Sequence, residues 1–384
     1  MRGATILGML LVNNPGSWSD IYAPLRHAVW HGWTPTDLVF PFFIFMVGVA
    51  MAFSLGALAD RPGGANAALW LRISRRVLVL ILLGLVLNAS GRLLSVPFGL
   101  RDSWDFDTLR WPGVLQRIAL AYLGAALIVL LVPGRWRMAT GVGILLAYTA
   151  AIKLLPANVE PELRMEAPSN VVLAVDRVLL GENHLWTGAV TDPEGLLSTL
   201  PAIVTALIGY AVGLTLRGRD ELSGEFIGRL AATGVGMSVV GQLWDWLAHP
   251  GLGMPINKAL WTPSFVLLTA GLALLLLSGC LLLLDSSRGR SPRAEKIASA
   301  FQLVGVNAIF VFVASGLFAR ALSLYKVGEQ SLKGWVYQNG FITPLEAVGL
   351  TDPKLSSLAF ALAFVGFWWL VLWMMWIRGW SIRV

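Results

Sequence analysis

The sequence predicts an all-α polytopic membrane protein, built as a single bundle of about ten transmembrane helices with both termini in the cytoplasm. Of its 384 residues, 56% are hydrophobic and 13% are charged, and the mean hydropathy is +0.70. A soluble globule of this length would need many more charged residues on its surface. Apolar runs of about 20 residues recur along the chain, which is the length a helix needs to cross a hydrocarbon core of about 30 Å. These runs lack the alternation of barrel strands, so we predict helices.

Ten apolar runs account for the predicted spans in chain order. The first is short, and the others approach the length of a full span. Arginine-containing turns such as VPGRWR at 132–137, or longer polar connections, separate one run from the next. The four-residue spacing of Gly209 and Gly213 predicts close packing between two spans. The runs cover about residues 3–14, 38–58, 77–95, 112–132, 138–155, 196–216, 227–247, 261–284, 298–322 and 356–377.

The distribution of basic residues predicts the orientation. With the N-terminus placed in the cytoplasm, the cytoplasmic segments hold sixteen of the twenty-nine basic residues and six acidic residues, a net charge of +10. The outer loops and spans then carry a net charge of −3, as the positive-inside rule requires. The total charge of +7 therefore reflects topology and does not indicate nucleic-acid binding. The cytoplasmic basic residues are Arg2, Arg61, Arg72, Arg75, Arg76, Arg135, Arg137, Arg217, Arg219, Arg229, Arg288, Arg290, Arg293, Lys296, Arg378 and Arg383.

We expect one transmembrane domain over residues 1–384, with no separate soluble domain and no cleavable signal peptide. The single cysteine, Cys280, excludes a disulfide framework and a cysteine-based metal site. The long polar connections all lie on the predicted outer side, where we expect the chemistry. They cover residues 15–37, 92–111, 156–195, 248–260 and 323–355.

The opening loop places histidines and asparagines among large aromatic side chains. His27 is a candidate general base or nucleophile, because imidazole suits proton transfer near neutral pH; the alternative is a histidine at the membrane interface. His31 allows the same interpretation. Two histidines four residues apart could also bind a metal on a helix, but Pro35 follows closely and His184 and His249 are distant in sequence, so we expect no metal site.

The tryptophans of this loop, Trp30 among them, are typical of an interfacial belt, with sugar stacking as the alternative. Amides in apolar spans, such as Gln116, are commonly hydrogen-bond partners between helices.

Two cations near or inside apolar runs are candidate ligand contacts. Arg117 lies inside a predicted span, where a charge is costly and needs water, an acid or an anionic ligand. A phosphate group would suit its planar guanidinium, and an ion pair with an acid on another span, such as Asp245, is equally compatible with the sequence. Lys258 lies beside the entrance of a span and either extends its ammonium to the interface or holds an anion.

Four motifs in the same order resemble the bacterial branch of the heparan-alpha-glucosaminide N-acetyltransferase family. They read RGATILGMLLVNNPGSW, PLRHAVWHGWTPTDLVFPFFIFMVGVAM, PGVLQRIALAY and PINKALWTPSFVLLTAG, and the resemblance extends from residue 2 to about residue 315. The resemblance implies a multi-helix membrane fold, a homodimer and a location in the bacterial plasma membrane. It also implies transfer of an acetyl group from cytosolic acetyl-CoA to a sugar on the far side of the membrane.

The resemblance also implies site residues. The family's catalytic histidine corresponds to His27, and its active-site asparagine corresponds to Asn13. The acidic residue that usually precedes the Arg-Gly pair of the first motif is absent here. The lumenal N-terminal domain of the animal enzyme is absent from this sequence as well, which leaves the identity of the acceptor open.

Combining the residues with the resemblance, we expect a transmembrane acyltransferase that acts on an amino or hydroxyl group of a sugar or glycan. His27 would deprotonate the acceptor, the favoured alternative, or accept the acetyl group itself. Asn13 would orient the imidazole or bind the thioester oxygen. The other candidate ligands are Arg117, Lys258, Gln116 and Asn257 for acetyl-CoA, and Asn14, Trp30, His31 and Asp245 for the acceptor.

Two other classes of function remain open from the sequence. A secondary transporter of a small anionic or sugar substrate would also use polar groups inside the membrane. A non-catalytic scaffold of a polysaccharide system would tolerate the loss of His27. The sequence shows no two matching halves of the kind found in many secondary transporters, and this counts against a transporter.

Overall fold

The computed structural model describes residues 1–59, 61, 64–100, 106–219, 222–247, 253–284 and 291–382. Arg288, Arg290, Arg383 and His249, which entered the predictions above, lie outside the described residues. Among the described residues, two short strands, β1 (Lys326–Val327) and β2 (Gln330–Ser331), form an antiparallel hairpin. The α-helices are α1 (Arg2–Asn13), α2 (Val39–Leu55), α3 (Ala67–Ser95), α4 (Val114–Leu131), α5 (Arg137–Leu154), α6 (Val171–Leu180), α7 (Thr199–Arg217), α8 (Gly224–Trp246), α9 (Pro263–Leu284), α10 (Pro292–Val306), α11 (Ala308–Leu324), α12 (Leu332–Tyr337), α13 (Thr343–Ala347) and α14 (Pro353–Ile377).

The architecture is that of an all-α, multi-pass membrane protein. In the described part of the chain, eight helical segments are long and apolar enough to cross a membrane, and nine if α10 and α11 count as one broken span. The orientation of the termini stays a prediction. The eight segments are Pro35–Ser54, Ala67–Ser95, Val114–Leu131, Gly134–Leu154, Thr199–Arg217, Gly224–Trp246, Pro263–Leu284 and Pro353–Ile377.

The number of spans differs from the predicted ten at the first and ninth apolar runs. The helix α1 has 12 residues. At about 1.5 Å per residue it extends roughly 18 Å, which is less than the thickness of the hydrocarbon core. The ninth run is divided into α10 and α11, whose axes differ by 70°. The first run differs from the prediction in its length, and the ninth differs in its continuity.

Asn307 forms the break between α10 and α11. Its side chain is 2% exposed. The Oδ1 atom accepts a hydrogen bond of 2.9 Å from the backbone N–H of Ile382, and Nδ2 donates one of 3.4 Å to the carbonyl of Leu303. A buried amide needs such partners. The bond from Ile382 connects the break to the residues that follow α14.

Glycines allow α2 and α7 to pack closely. A Cβ atom at Gly48 would lie 1.9 Å from the carbonyl oxygen of Ala206, and one at Gly209 would lie 2.1 Å from that of Phe45. A Cβ at Gly213 would lie 2.6 Å from the Cβ of Ala52. The spacing of Gly209 and Gly213 therefore has the packing role predicted from the sequence.

The interior is divided into two main hydrophobic clusters. The larger one joins α2, α3, α4, α7, α8 and α9. The other joins α1, α10, α11 and α14. These two groups of helices meet where α1 packs against α2 and where α11 packs against α3, and the loop of residues 14–38 lies between the end of α1 and the start of α2. The candidate site lies at this junction.

Candidate active site

His27, in the loop after α1, pairs with a buried acid ten residues further along the chain. The distance from His27 Nδ1 to Asp37 Oδ1 is 2.7 Å. The Asp37 side chain is 1% exposed, whereas that of His27 is 47% exposed. A carboxylate only accepts hydrogen bonds, so the proton of this pair belongs to Nδ1. The Nε2 atom is then left as a proton acceptor.

The local sequence holds Asp37 in place. Residues Pro35–Leu38 form a 3-10 turn directly before α2, with Thr34 at its N-cap. Asp37 Oδ2 accepts hydrogen bonds from the backbone N–H and the hydroxyl of Thr34, each at 3.1 Å. It also accepts one of 3.0 Å from the backbone N–H of Ala28. This capping box leaves the second oxygen, Oδ1, directed at His27.

Lys258 joins the pair from the segment that precedes α9. Its Nζ atom lies 3.3 Å from Asp37 Oδ1 and 3.1 Å from His27 Nδ1. Because an ammonium group only donates and the Nδ1 proton is directed at Asp37, the hydrogen-bond acceptor of Lys258 is the carboxylate. A tight turn positions the lysine: Asn257 Oδ1 accepts a 2.9 Å bond from the N–H of Leu260, and the N–H of Asn257 donates to Thr262 Oγ1 at 3.0 Å.

A cavity of about 140 Å³ adjoins His27 and is lined by residues of α1, α2, α4 and α11. Along α1 the lining extends from Asn13 back to Thr5, which corresponds to roughly 12 Å of helix. Most of the lining is apolar, and its polar members include His27, Asn13, Glu194 and Lys258. Such an apolar cleft with a few convergent polar groups is typical of a small-molecule site.

Asn13 is the last residue of α1 and lies in the wall of this cavity. Its side-chain amide forms no hydrogen bond with any residue that the structure describes, so its N–H groups are available to a ligand. The neighbouring Asn14 donates from Nδ2 to the carbonyl of Leu10 at 2.9 Å and does not line this cavity. The two asparagines therefore differ in what they can bind.

Glu194 brings a second carboxylate to the cavity wall, held by an arginine. Arg110 Nη2 lies 2.5 Å from Glu194 Oε2 and 2.5 Å from Asp192 Oδ1. Burial opposes the charge of Arg110, but the hydrogen bond to Asp192 and the charges of both acids outweigh burial and raise the pKa of the guanidinium above its ordinary value. The ion pair with Arg110 holds the Glu194 carboxylate in the wall of the cavity.

Arg117 does not line the cavity and instead contacts residues behind the cavity wall. Its side chain is fully buried. It donates to the carbonyl of Gly195 at 2.8 Å and to Ser198 Oγ, and its guanidinium lies over the ring of Trp261. The ion pair with Asp245 that the sequence allowed is not formed. Asp245 instead accepts hydrogen bonds from the backbone N–H of Ile256 at 2.7 Å and from the Gln242 amide at 3.0 Å.

The other predicted acetyl-CoA ligands, Gln116 and Asn257, are also buried. Gln116 packs against two glycines: a Cβ atom at Gly84 would lie 2.2 Å from its Oε1, and one at Gly113 would lie 2.7 Å from it. Asn257 shapes the turn that carries Lys258. Neither side chain is among the residues that line the cavity beside His27. Of the four candidates for acetyl-CoA, Lys258 alone reaches that cavity.

Two predicted acceptor ligands, Trp30 and His31, contact the segment that precedes α6. Trp30 Nε1 donates to the carbonyl of Met165 at 3.1 Å. His31 Nε2 lies 3.1 Å from Glu166 Oε1, and its Nδ1 lies 3.4 Å from the amide nitrogen of Asn257. These contacts fasten the opening loop, so the structure brings His27, Asn13 and Lys258 together and leaves Trp30 and His31 beside them.

The sequence interpretation missed Asp37 and Glu194. Asp37 had a recognisable signal, since Thr34-Pro-Thr-Asp37 before an apolar run is a helix-start pattern, but its partner His27 is not evident from spacing. Glu194 had no signal, because only the fold brings its loop to α1.

Among the described residues, no group of three or more His, Cys, Asp or Glu side chains could hold a metal ion. The expectation of a metal-free site stays a prediction.

Comparison with known proteins gives a distant relationship. The chain is 25% identical to heparan-alpha-glucosaminide N-acetyltransferase of Homo sapiens over 363 residues, which is 83% of this chain and 52% of that protein. It is 25% identical to the protein of the same name from Mus musculus over 392 residues, 90% of this chain and 57% of that protein. The chain spans about half the length of the curated relatives it matches. No protein-family model matches it. The chain is distantly related to the heparan-alpha-glucosaminide N-acetyltransferases, a relationship that extends over most of its length.

Proposed function

We propose that this protein is a transmembrane acyltransferase that moves an acetyl group from cytosolic acetyl-CoA to an amino or hydroxyl group of an extracytoplasmic sugar or glycan, in the plasma membrane of a bacterium. The single observation that carries the proposal is the His27–Asp37 pair at 2.7 Å, with the imidazole lining a cavity between two groups of helices. The names of the two relatives support an acetyltransferase.

The pair suits a general base. Asp37 holds the Nδ1 proton and fixes the orientation of the ring, so Nε2 removes the proton from the acceptor nitrogen or oxygen as that atom forms its bond to the acyl carbon. The charge that develops on His27 is stabilised by the buried carboxylate. The proton then leaves Nε2 for the sulfur of the departing thiolate, which restores the neutral imidazole.

Asn13 and Lys258 have separate roles in this proposal. The free amide of Asn13 donates a hydrogen bond to the acyl oxygen as negative charge builds up there. Lys258 is a positioning residue that keeps Asp37 in place through its 3.3 Å ion pair.

Acetyl-CoA supplies an activated acyl group. The polar end and apolar wall of the cavity suit a thioester and the adjoining methylene chain, with the interior end of the cavity directed at the predicted cytoplasmic side.

A carrier or a scaffold does not require an imidazole that is held by a buried carboxylate, so we favour the enzyme. The test is acetyl transfer from labelled acetyl-CoA to glucosamine by the purified protein. His27→Ala should lower the rate at least 10²-fold. The matched control is His184→Gln, since His184 stacks on Trp111 away from the cavity. Equal rates for His27→Ala and the unmodified protein, with both folded, would remove the assignment.

A further inference from the structure

A second cavity, of about 350 Å³, adjoins the first at the outer end of α1. It is lined by residues of α1, α3, α11, α12 and α14 and by Trp18 of the opening loop. Met9, Asn13 and Phe312 lie in the walls of both cavities. A molecule bound in the second cavity therefore touches the same asparagine that we assign to the acyl oxygen.

The polar lining of the second cavity carries positive charge. Arg320 near the end of α11 and Lys333 in α12 both lie in its wall, and its described lining contains no acidic residue. Neither cation forms a hydrogen bond or an ion pair with the part of the chain that the structure describes. Lys333 contacts the ring of Phe360 at 5.7 Å. Burial lowers the pKa of Lys333 below its ordinary value, and the described lining contains no carboxylate to offset this effect.

The remaining lining suits a sugar. The indole of Trp18 is 63% exposed and lies at the cavity. An exposed flat ring of this kind packs against the apolar face of a pyranose. The side chains of Asn13, Asn14, Ser315 and Ser323 supply hydrogen-bonding groups in the same wall. Two unpaired cations beside an aromatic ring and amides form a surface for a polar molecule with a negative group.

Arg320 also lies in the wall of a third cavity, of about 510 Å³, which shares Leu87 with the second. The other arginines there are already engaged. Arg92 donates to the carbonyl and hydroxyl oxygens of Thr108 at 2.8 Å and 2.5 Å, and Arg110 holds Asp192 and Glu194. Among the described arginines in the wall of this third cavity, Arg320 is therefore the one that is free to bind an incoming anion.

We propose that the second cavity is the acceptor site, and that Arg320 and Lys333 bind a carboxylate, sulfate or phosphate group of the acceptor. The acceptor is then an acidic amino sugar or the acidic end of a glycan. This inference rests on the proposed acyl transfer at His27. The same cations could instead bind the phosphate of an anionic lipid headgroup, and the experiment below separates the two sources.

The experiment measures binding and transfer separately, using the full chain in phosphatidylcholine nanodiscs. The probes are glucosamine and glucosamine 6-phosphate, which differ by one anionic group. We expect tighter binding of the phosphorylated sugar, and a loss of about tenfold or more for that sugar alone in Arg320→Gln and in Lys333→Gln. Lys326→Gln is the matched control, because this exposed lysine lies nearby in sequence and outside the cavities described above.

The outcomes distinguish the two proposals. Equal affinity for the two sugars, or equal loss for both in the variants, overturns the acceptor assignment whether or not transfer occurs. If His27→Ala retains transfer while the variants still lose the phosphorylated sugar, the proposed catalytic role fails and the anion site stands. In a parallel series with phosphatidylglycerol added, a lipid-dependent rise in melting temperature that the Arg320 and Lys333 variants lose, with sugar binding unchanged, assigns the cations to lipid and contradicts the inference.

Discussion

Asp37→Asn removes a negative charge from a nearly fully buried group and keeps the size of the side chain. In the unmodified protein Oδ2 accepts from Thr34 and Ala28, and Oδ1 faces His27 at 2.7 Å and Lys258 at 3.3 Å. If the amide oxygen keeps the donors of Thr34 and Ala28, its NH₂ group faces His27 and Lys258. Nδ1 must then accept a hydrogen bond, which moves the imidazole proton to Nε2.

The expected size of the effect follows from this change of tautomer. A protonated Nε2 cannot take the proton of the acceptor. The equivalent substitution in the serine-protease triad lowers kcat about 10⁴-fold. His27 is half-exposed and exchanges its proton with water, so we expect a loss on the order of 10²- to 10⁴-fold here. The ammonium of Lys258 also loses its partner, which costs roughly 1–3 kcal/mol of stability.

The assay compares kcat and KM for acetyl-CoA and measures the ¹⁵N chemical shifts of His27, which report the tautomer. Glu225→Gln is the matched control, since it also removes one carboxylate charge, and Glu225 is exposed at the surface, where its pair with Arg229 contributes little. The reasoning is refuted if folded Asp37→Asn keeps kcat within about twofold of the unmodified protein, or if its Nε2 remains unprotonated.

Three further substitutions have defined outcomes. Asn13→Ala should lower kcat roughly 10²- to 10³-fold with little change in the KM for acetyl-CoA, measured by steady-state kinetics, and an unchanged kcat would exclude the amide from the reaction. Arg110→Gln leaves the acids Asp192 and Glu194 unpaired and should destabilise the fold by about 3–5 kcal/mol, seen as a lower melting temperature. Burial raises the pKa of Asp176 to about 6 from 3.8, although the N–H groups of the residues after Gly195 oppose the shift. The protonated form is favoured by folding, so its contribution of about 3 kcal/mol is complete below pH 3.8 and is lost as pH rises through about 6. Asp176→Asn should flatten this slope in melting temperature against pH, and an unchanged slope would assign it to another group.

Much of the fold is predictable from the sequence because lipid imposes simple requirements on composition and length. Apolar length locates α2, α4, α7 and α9 within a few residues. It cannot reveal the break at Asn307, since the run is apolar on both sides and the asparagine finds its partner in Ile382, 75 residues away. Nor does it give the start of α3, which begins at Ala67, with the arginines of its first turns inside the helix.

The site is predictable only where local chemistry is distinctive. His27 stands out as a polar group beside an apolar run and Lys258 as a cation at the start of a span, whereas Asn13 is implied by the family resemblance. The partner of His27 is set by tertiary structure, because the loop must close before Asp37 reaches Nδ1. For Arg117, the local chemistry did not predict the partners. Its position inside a span made it a candidate for phosphate, but its hydrogen-bond partners are the carbonyl of Gly195 and the hydroxyl of Ser198, which are distant in sequence.

The most direct test of the central claim is a sidedness measurement in sealed vesicles. Labelled acetyl-CoA is enclosed with the cytoplasmic face of the protein, and an amino sugar is supplied on the other side. Our account predicts that acetylated sugar appears outside the vesicles at a rate that depends on His27, while acetyl-CoA stays inside. Product that forms only when both substrates share one compartment, or equal product from His27→Ala, would contradict it.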